Sequence, residues 1–153
     1  VLDVTSSGSI TLAPGGGLNI TGSEDALSVV ITGTAAVLGR ARGTSIQEMV
    51  WMELRASGGV PAGTPLYHEM SGSVVSLAAD PTGCYAFAAT QQGWKALQVV
   101  TIGSPSLPEA SSYTVSGETG RGVWYDMVRD RVFFVDDNTL YIFRPGSGSS
   151  DCS

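Results

Sequence analysis

A four-strand unit that recurs along the chain constrains this sequence more than any other feature. Its clearest copy is residues 73–115. Val74–Ala79 is a short apolar strand. Asp80–Gly83 reads as a turn, with Pro81 suited to its second position and Gly83 to its fourth. Cys84–Ala89 is a second strand, and Gln91–Gly93 turns the chain again. Ala96–Ile102 is a third strand. Gly103–Pro108 is a loop whose prolines exclude ladder pairing, and Ala110–Val115 is a fourth strand. Four short strands joined by tight turns make an antiparallel meander. One such unit cannot bury both of its faces alone, so repetition implies sheets stacked face to face.

The same order recurs on both sides. Upstream, Leu27–Ile31, Ala35–Gly39, Ile46–Leu54 and Leu66–Glu69 take the four strand positions, with Tyr67 and Tyr113 equivalent at a spacing of 46 residues. Downstream, Gly122–Met127, Arg131–Val135 and Thr139–Phe143 supply three strands, with Leu97 and Leu140 equivalent at a spacing of 43. Val1–Thr5 is similar to Leu97–Thr101, and Ile10–Thr21 follows it as an outer edge. The fold expected is all-β, built of β-propeller-type blades that are four-stranded antiparallel meanders in an incomplete ring. Its divisions are the end of a preceding blade at 1–22, blades at 26–70 and 73–115, a partial blade at 121–145, and a Gly/Ser tail at 146–153. About three blades fall short of the roughly four of a closed propeller, so other copies or other segments of the same protein are expected to complete it. A first residue that is Val rather than Met suits a chain processed, trimmed or cut from something larger.

Ser45–Leu54 allows two readings. Ser45 and Glu48 form a Ser-x-x-Glu capping box that could start a short helix. As a strand, the segment puts Ile46, Glu48, Val50, Met52 and Leu54 on one face. The repeat alignment favours the strand.

Two blocks, residues 73–115 and 121–144, resemble the LVIVD-repeat group of β-propellers. The resemblance rests on Val74–Phe87 and on the run Leu97–Ile102 followed by Gly103–Pro108. It covers under half of the chain well, and residues 1–72 only by analogy of pattern. It implies a propeller fold and a surface or secreted setting, and it brings no catalytic motif. The sequence departs from the group at Thr101, where Asp is common, which leaves in doubt the turn that Asp would brace.

Charge and length exclude several functions. Charged residues are 14% of the chain, against a usual quarter or so, and the net charge is −6. The eight Lys and Arg are scattered, with no basic stripe to neutralise phosphates, so nucleic acid is not an expected partner. Apolar runs fall far short of the roughly 20 residues of a membrane helix, so the chain is not expected to span a membrane. Low charge with abundant Gly, Ser and Thr is common in extracellular surface proteins. Cys84 opens an apolar strand, which favours a buried thiol over a disulfide partner, and Cys152 lies in the polar tail.

Few side chains suggest chemistry. His68 is the only histidine; Glu69 beside it points to the other face of a strand, so an exposed or capping histidine is the expectation. Asp126, Asp130, Asp136 and Asp137 could supply part of a calcium site. Asp and Asn in tight turns have a simpler explanation, because they bond the local backbone. Asn19 begins the single N-glycosylation sequence, Asn19-Ile20-Thr21, and the Ser/Thr runs at 5–9 and 147–150 could take O-linked sugars. Gly15–Gly17 lacks the ending and the helix of a phosphate loop. Trp51, Trp94 and Trp124 could stack on a sugar, but packing between blades is the expectation. No residue is assigned to catalysis, a cofactor or a metal.

The function expected is a non-enzymatic extracellular or cell-surface scaffold and protein-interaction module. It would work through strand edges, with Leu2, Val4, Tyr141 and Phe143 as the edge residues. The alternatives are a ligand-binding or hydrolytic propeller of the lactonase type, with acidic residues converging on His68, and a β-sandwich protein of a filament or virion surface. Strand order separates the last of these from blades.

Overall fold

A computed structural model of the chain describes residues 25–43, 47–54, 63–91, 94–102, 104–114 and 119–145, together with the backbone of two strands nearer the N-terminus. Those two, β1 (Leu2–Val4) and β2 (Ile10–Leu12), form an antiparallel pair. A second sheet holds β3 (Ala26–Thr32), β4 (Ala35–Arg40), β5 (Met49–Glu53) and β6 (Leu66–His68). A third holds β7 (Ser73–Ala79), β8 (Tyr85–Gln91), β9 (Leu97–Thr101) and β10 (Glu109–Tyr113). The last holds β11 (Gly122–Asp126), β12 (Arg131–Val135) and β13 (Leu140–Phe143). Strands follow chain order within every sheet, so each is a meander. Among the described residues no strand crosses between sheets, which favours blades over the sandwich reading. The capping-box segment is strand β5, paired with both β4 and β6. Among the described residues the sheets do not close into a ring.

The local causes are turn residues and alternation. Gly33 and Gly83 take positive φ values of 52° and 79° in the turns after β3 and β7, where a side chain would be strained. Asp80 braces the second of these turns: its Oδ1 accepts from Tyr85 N at 2.7 Å, and its main-chain oxygen accepts from Gly83 N. Thr101, the departure from the LVIVD-type pattern, holds its loop through the backbone, with Thr101 N donating to Pro108 O at 2.9 Å.

The first strands of successive sheets, β3, β7 and β11, lie side by side and carry the stacking. A bulge interrupts β3 between Ala26 and Ser28, and another interrupts β7 between Val74 and Ser76. The serine after each bulge reaches the next sheet. Ser28 Oγ donates to Val74 O at 3.4 Å, and Ser76 Oγ accepts from Val123 N at 3.1 Å. Thr32 Oγ1 adds a buried bond to Asp80 O at 2.6 Å.

Apolar side chains fill the two spaces between sheets. Val37 and Met49 meet Val74, Ala86, Ala88, Val100 and Leu107 in one. Phe87, Ala89 and Leu97 meet Val123, Val132 and Phe134 in the other. Each large side chain fully buried there contributes about 1.5–3 kcal/mol of transfer free energy. Leu107 sits in the first cluster despite a left-handed φ of 46°; its complete burial offsets that strain.

Cys84 corrects an expectation. It is buried, but it is disulfide-bonded rather than a free thiol. An apolar strand start gives a burial signal and no oxidation signal, and the second cysteine of the sequence, Cys152, lies outside the described residues.

Candidate interaction surface

Alternation along β11–β13 divides the last sheet into two unlike faces. Val123, Val132, Phe134, Tyr141 and Phe143 turn toward the third sheet. Tyr113 of that sheet meets Tyr141 at 5.4 Å and Phe143 edge-on at 5.1 Å between ring centroids. The far face carries two cross-strand rows, Trp124–Phe133–Ile142 and Gly122–Val135–Leu140. Trp124 is 70% exposed and Ile142 59%, and Val135 and Leu140 are exposed beside them. Trp124 is therefore not packed between blades, contrary to expectation, and neither is Trp94, which lies exposed with Lys95 Nζ 4.5 Å from its ring centroid. Trp51 alone of the three packs against a core cluster. At the opposite end of the stack, Leu27, Val29 and Ile31 of β3 are exposed.

The edge residues proposed from sequence are only partly placed. Tyr141 and Phe143 lie on β13, which has no partner on its outer side among the described residues. Their side chains point into the core; the outward ones on that strand are Leu140 and Ile142. Leu2 and Val4 lie on β1 with their backbone paired to β2, and their side chains are outside the described residues. Asn19 and residues 146–153 are outside them as well.

A cleft of about 410 Å³ opens beside β13. Tyr85, Phe87, Leu97 and Val99 form its floor, Ser111 and Tyr113 of β10 one wall, and Val132, Phe143 and Arg144 the other. A second cleft, of about 470 Å³, lies at the turn end between the second and third sheets, near Thr32, Trp51, Thr82 and Pro105.

Polar side chains gather between β6, β9 and β10. Lys95 Nζ donates to both Glu109 carboxylate oxygens at 2.7 Å, and Gln98 Nε2 donates to Oε2 at 2.7 Å. Gln98 Oε1 in turn accepts from Ser71 N, and buried Glu48 accepts from Met70 N. Burial alone would raise the Glu109 carboxyl, but the bonds from Lys95 and Gln98 outweigh it and hold it below the usual range. His68 is half-buried rather than exposed, which corrects the expectation. Its Nε2 is buried without a hydrogen-bond partner. Desolvation lowers its pKa, against the opposing charges of Glu109 and Glu69. Two carboxylates thus act on His68, but the one with the larger influence, Glu109, is committed to Lys95 and Gln98. Sequence reasoning missed this network because its members come from four segments that only the sheet pairing brings together.

Two aspartates of the last sheet, Asp136 and Asp126, bind their own turns, while Asp137 pairs with Arg121 and Asp130 accepts from the Tyr125 hydroxyl. Asp136 Oδ1 accepts from Asn138 N and Thr139 N at 2.8 and 2.7 Å. Asp126 Oδ1 accepts from Val128 N and Arg129 N at 2.9 and 3.1 Å. Hydrogen bonds led by Arg129 hold the Asp126 carboxyl below its usual pKa. No group of three or more His, Cys, Asp or Glu among the described residues is placed to hold a metal ion.

No family model matches the chain, and no curated protein matches it by sequence. Solved structures do. A nidogen/laminin complex is similar at a TM-score of 0.64 and 16% identity, covering 92% of this chain and 51% of that one. Hsv2 of Kluyveromyces lactis is similar at 0.59 and 11%, covering 76% and 36%. The β-propeller domain of Cps50 (Swd1) from Myceliophteria thermophila is similar at 0.50 and 18%, covering 81% and 41%. The chain therefore spans about half or less of each structure. At these identities the likeness is one of fold, and with the ordered meanders it establishes an all-β chain built of β-propeller-type blades.

Proposed function

We propose that the chain is a non-enzymatic scaffold and protein-interaction module of propeller blades, working outside the cell or on its surface. Its partners are further blades, from other copies or from other segments of the same protein. The observation that carries this reading is the far face of the last sheet, where Trp124, Phe133, Val135, Leu140 and Ile142 form one apolar surface of the kind that the inner sheets bury. Exposed Val29 and Ile31 at the other end of the stack offer a second such surface. The oxidised state of Cys84 supports an extracellular setting, since disulfides persist in oxidising compartments. No helix among the described residues is long and apolar enough to cross a membrane. The LVIVD-repeat group remains the family we favour, on the strength of the Leu97–Ile102 block and the loop after it.

Sedimentation equilibrium tests the reading. The chain should self-associate at tens of micromolar, and Trp124→Lys with Ile142→Lys should return it to the monomer while leaving its circular dichroism unchanged. A parent chain that stays monomeric and cooperatively folded across that range refutes association through this face between copies.

A further inference from the structure

We infer that His68 makes the junction between the second and third sheets proton-sensitive: a proton on its ring loosens the rim of that junction. None of the apolar faces on which self-association rests is involved. Side chains alternate along β6, so His68 turns to the same side as Leu66, which packs against the core shared with the third sheet. Tyr67 turns the other way, with the Arg40 guanidinium 5.6 Å from its ring centroid. His68 therefore stands at the outer rim of the junction, half-buried, with Nε2 sealed from water and without a hydrogen-bond partner. It is the only histidine of the sequence.

Charged groups surround the ring. Glu109 of β10 and Lys95, just before β9, act on it from the third sheet, and Glu69 is its chain neighbour. Glu48, just before β5, is buried and accepts from Met70 N, and Arg42, after β4, donates to Ser71 O. Glu109 has the largest charge effect on the ring, but both its oxygens are taken, by Lys95 and by Gln98 Nε2. Gln98 is the relay between the sheets. Its Oε1 accepts from Ser71 N at 2.8 Å, in the link from β6 to β7, and Ser71 Oγ donates to Lys95 O at 3.1 Å. A neutral ring disturbs none of these bonds. Protonation places a charge and an N–H at Nε2, where no acceptor waits. The imidazolium must then draw Glu109 away from Gln98 and Lys95, or leave its seat beside Leu66. The first movement frees Gln98 and with it the Ser71 bond; the second empties the rim. Burial is the leading influence on the ring and lowers its pKa from the ordinary 6.5, against the pull of the two carboxylates. The neutral form is thus favoured in the folded state. Its contribution is full above 6.5 and is lost as the pH falls through the folded value.

The test is a nuclear magnetic resonance titration of the whole, nitrogen-15-labelled protein from about pH 8 to about pH 5. A single histidine makes the ring signals unambiguous. Glu109, held below the usual carboxylate range, keeps its charge throughout that window. The ring is expected to titrate with a midpoint below 6.5, and the Ser71 amide and the Gln98 carboxamide should shift with the same midpoint. Exchange of the Ser71 amide hydrogen, measured against an unprotected peptide at each pH, should speed up by about tenfold across the transition. His68→Gln is polar and cannot titrate, so it should hold both signals still over the same range. Should that variant fail to fold, the titration of the parent protein decides alone. A midpoint at or above 6.5, Ser71 and Gln98 signals that stay fixed while the ring titrates, or the same shifts persisting in His68→Gln would overturn the inference.

Discussion

Gly39 is the position where the fit between the second and third sheets is tightest, and replacing it with Ala gives a result whose sign is informative. Gly39 lies in β4, facing β7. A Cβ built there would stand 2.8 Å from Val74 Cβ, and closer still to Val74 Cγ1 and Ser28 Oγ. Ordinary contact begins at 3.4 Å, so clearing Val74 Cγ1 requires the sheets to part by about 1 Å at that point. Ser28 can rotate away, at the loss of its bond to Val74 O. Val74 cannot: it is fully buried and its β-branched side chain is stiff. In a loosely packed strand, alanine for glycine would stabilise by about 0.5–1 kcal/mol through chain entropy. Here overpacking costs about 1–3 kcal/mol, and the immobility of Val74 places the net effect near 2 kcal/mol destabilising.

Urea unfolding followed by tryptophan fluorescence measures it, with a fall in melting temperature of about 4–8 °C alongside. A double-mutant cycle with Val74→Ala isolates the cause. Val74→Ala alone removes two methyl groups from a sealed site and costs about 2 kcal/mol. In the Gly39→Ala background it also removes the Cγ1 clash, so the pair should cost about 1 kcal/mol less than the sum of the singles. Relief is partial because Val74 Cβ remains. A neutral or stabilising Gly39→Ala, or a cycle additive to within about 0.3 kcal/mol, refutes sheet-to-sheet contact at this point.

Two further outcomes follow from the structure. Tyr125 is raised from 10.0 to about 12, first by burial and then by its bond to Asp130, whose Oδ1 accepts from the hydroxyl at 2.7 Å. A raised phenol favours the neutral form in the folded state, so its contribution to stability is full below pH 10 and disappears as the pH rises through about 12. Asp130→Asn should bring the phenol part of the way back in an ultraviolet titration; no movement would mean the bond does not form. Thiol titration of the unreduced, denatured chain should find Cys84 unreactive, and reduction should lower the melting temperature, since removing a disulfide from a small domain costs about 2–5 kcal/mol. A reactive Cys84 thiol before reduction contradicts the structure.

The meanders were readable from sequence because their signals are local. Pro81, Gly83 and the alternating runs around them specify turns and strands without reference to distant residues, and β7 to β9 fall within two residues of their expected places. Even the capping box at Ser45 yields to the strand alignment, because β5 sits between two partners that a helix would leave unpaired. What escaped was nonlocal. Whether Tyr141 or Ile142 faces inward depends on which side of the sheet has a neighbour, and alternation alone cannot say. Trp124 reads as an inter-blade aromatic until the sheet beyond it proves missing among the described residues. Glu109 bonds Lys95 and Gln98 and acts on His68 through its charge, and three strands, β7 to β9, separate His68 from Glu109 in the sequence.

Trp124 also marks a change in how the stack is held. The polar hook of the repeat is a serine just after a bulge in the first strand of a sheet, Ser28 and then Ser76, at a spacing of 48 residues. The next step of 48 residues lands on Trp124. β11 pairs with β12 in unbroken register, without a bulge, and presents an indole where the earlier sheets present a hydroxyl. A blade docked there cannot be fastened as the third and last sheets are, because the serine hydroxyl that bonds the main chain at Val74 and at Val123 has no counterpart. What remains is apolar area alone, which is non-directional and sets no register. Register at that junction must then come from elsewhere, and the main-chain edge of β13, the strand on which the same sheet's apolar rows end, is the directional element available among the described residues.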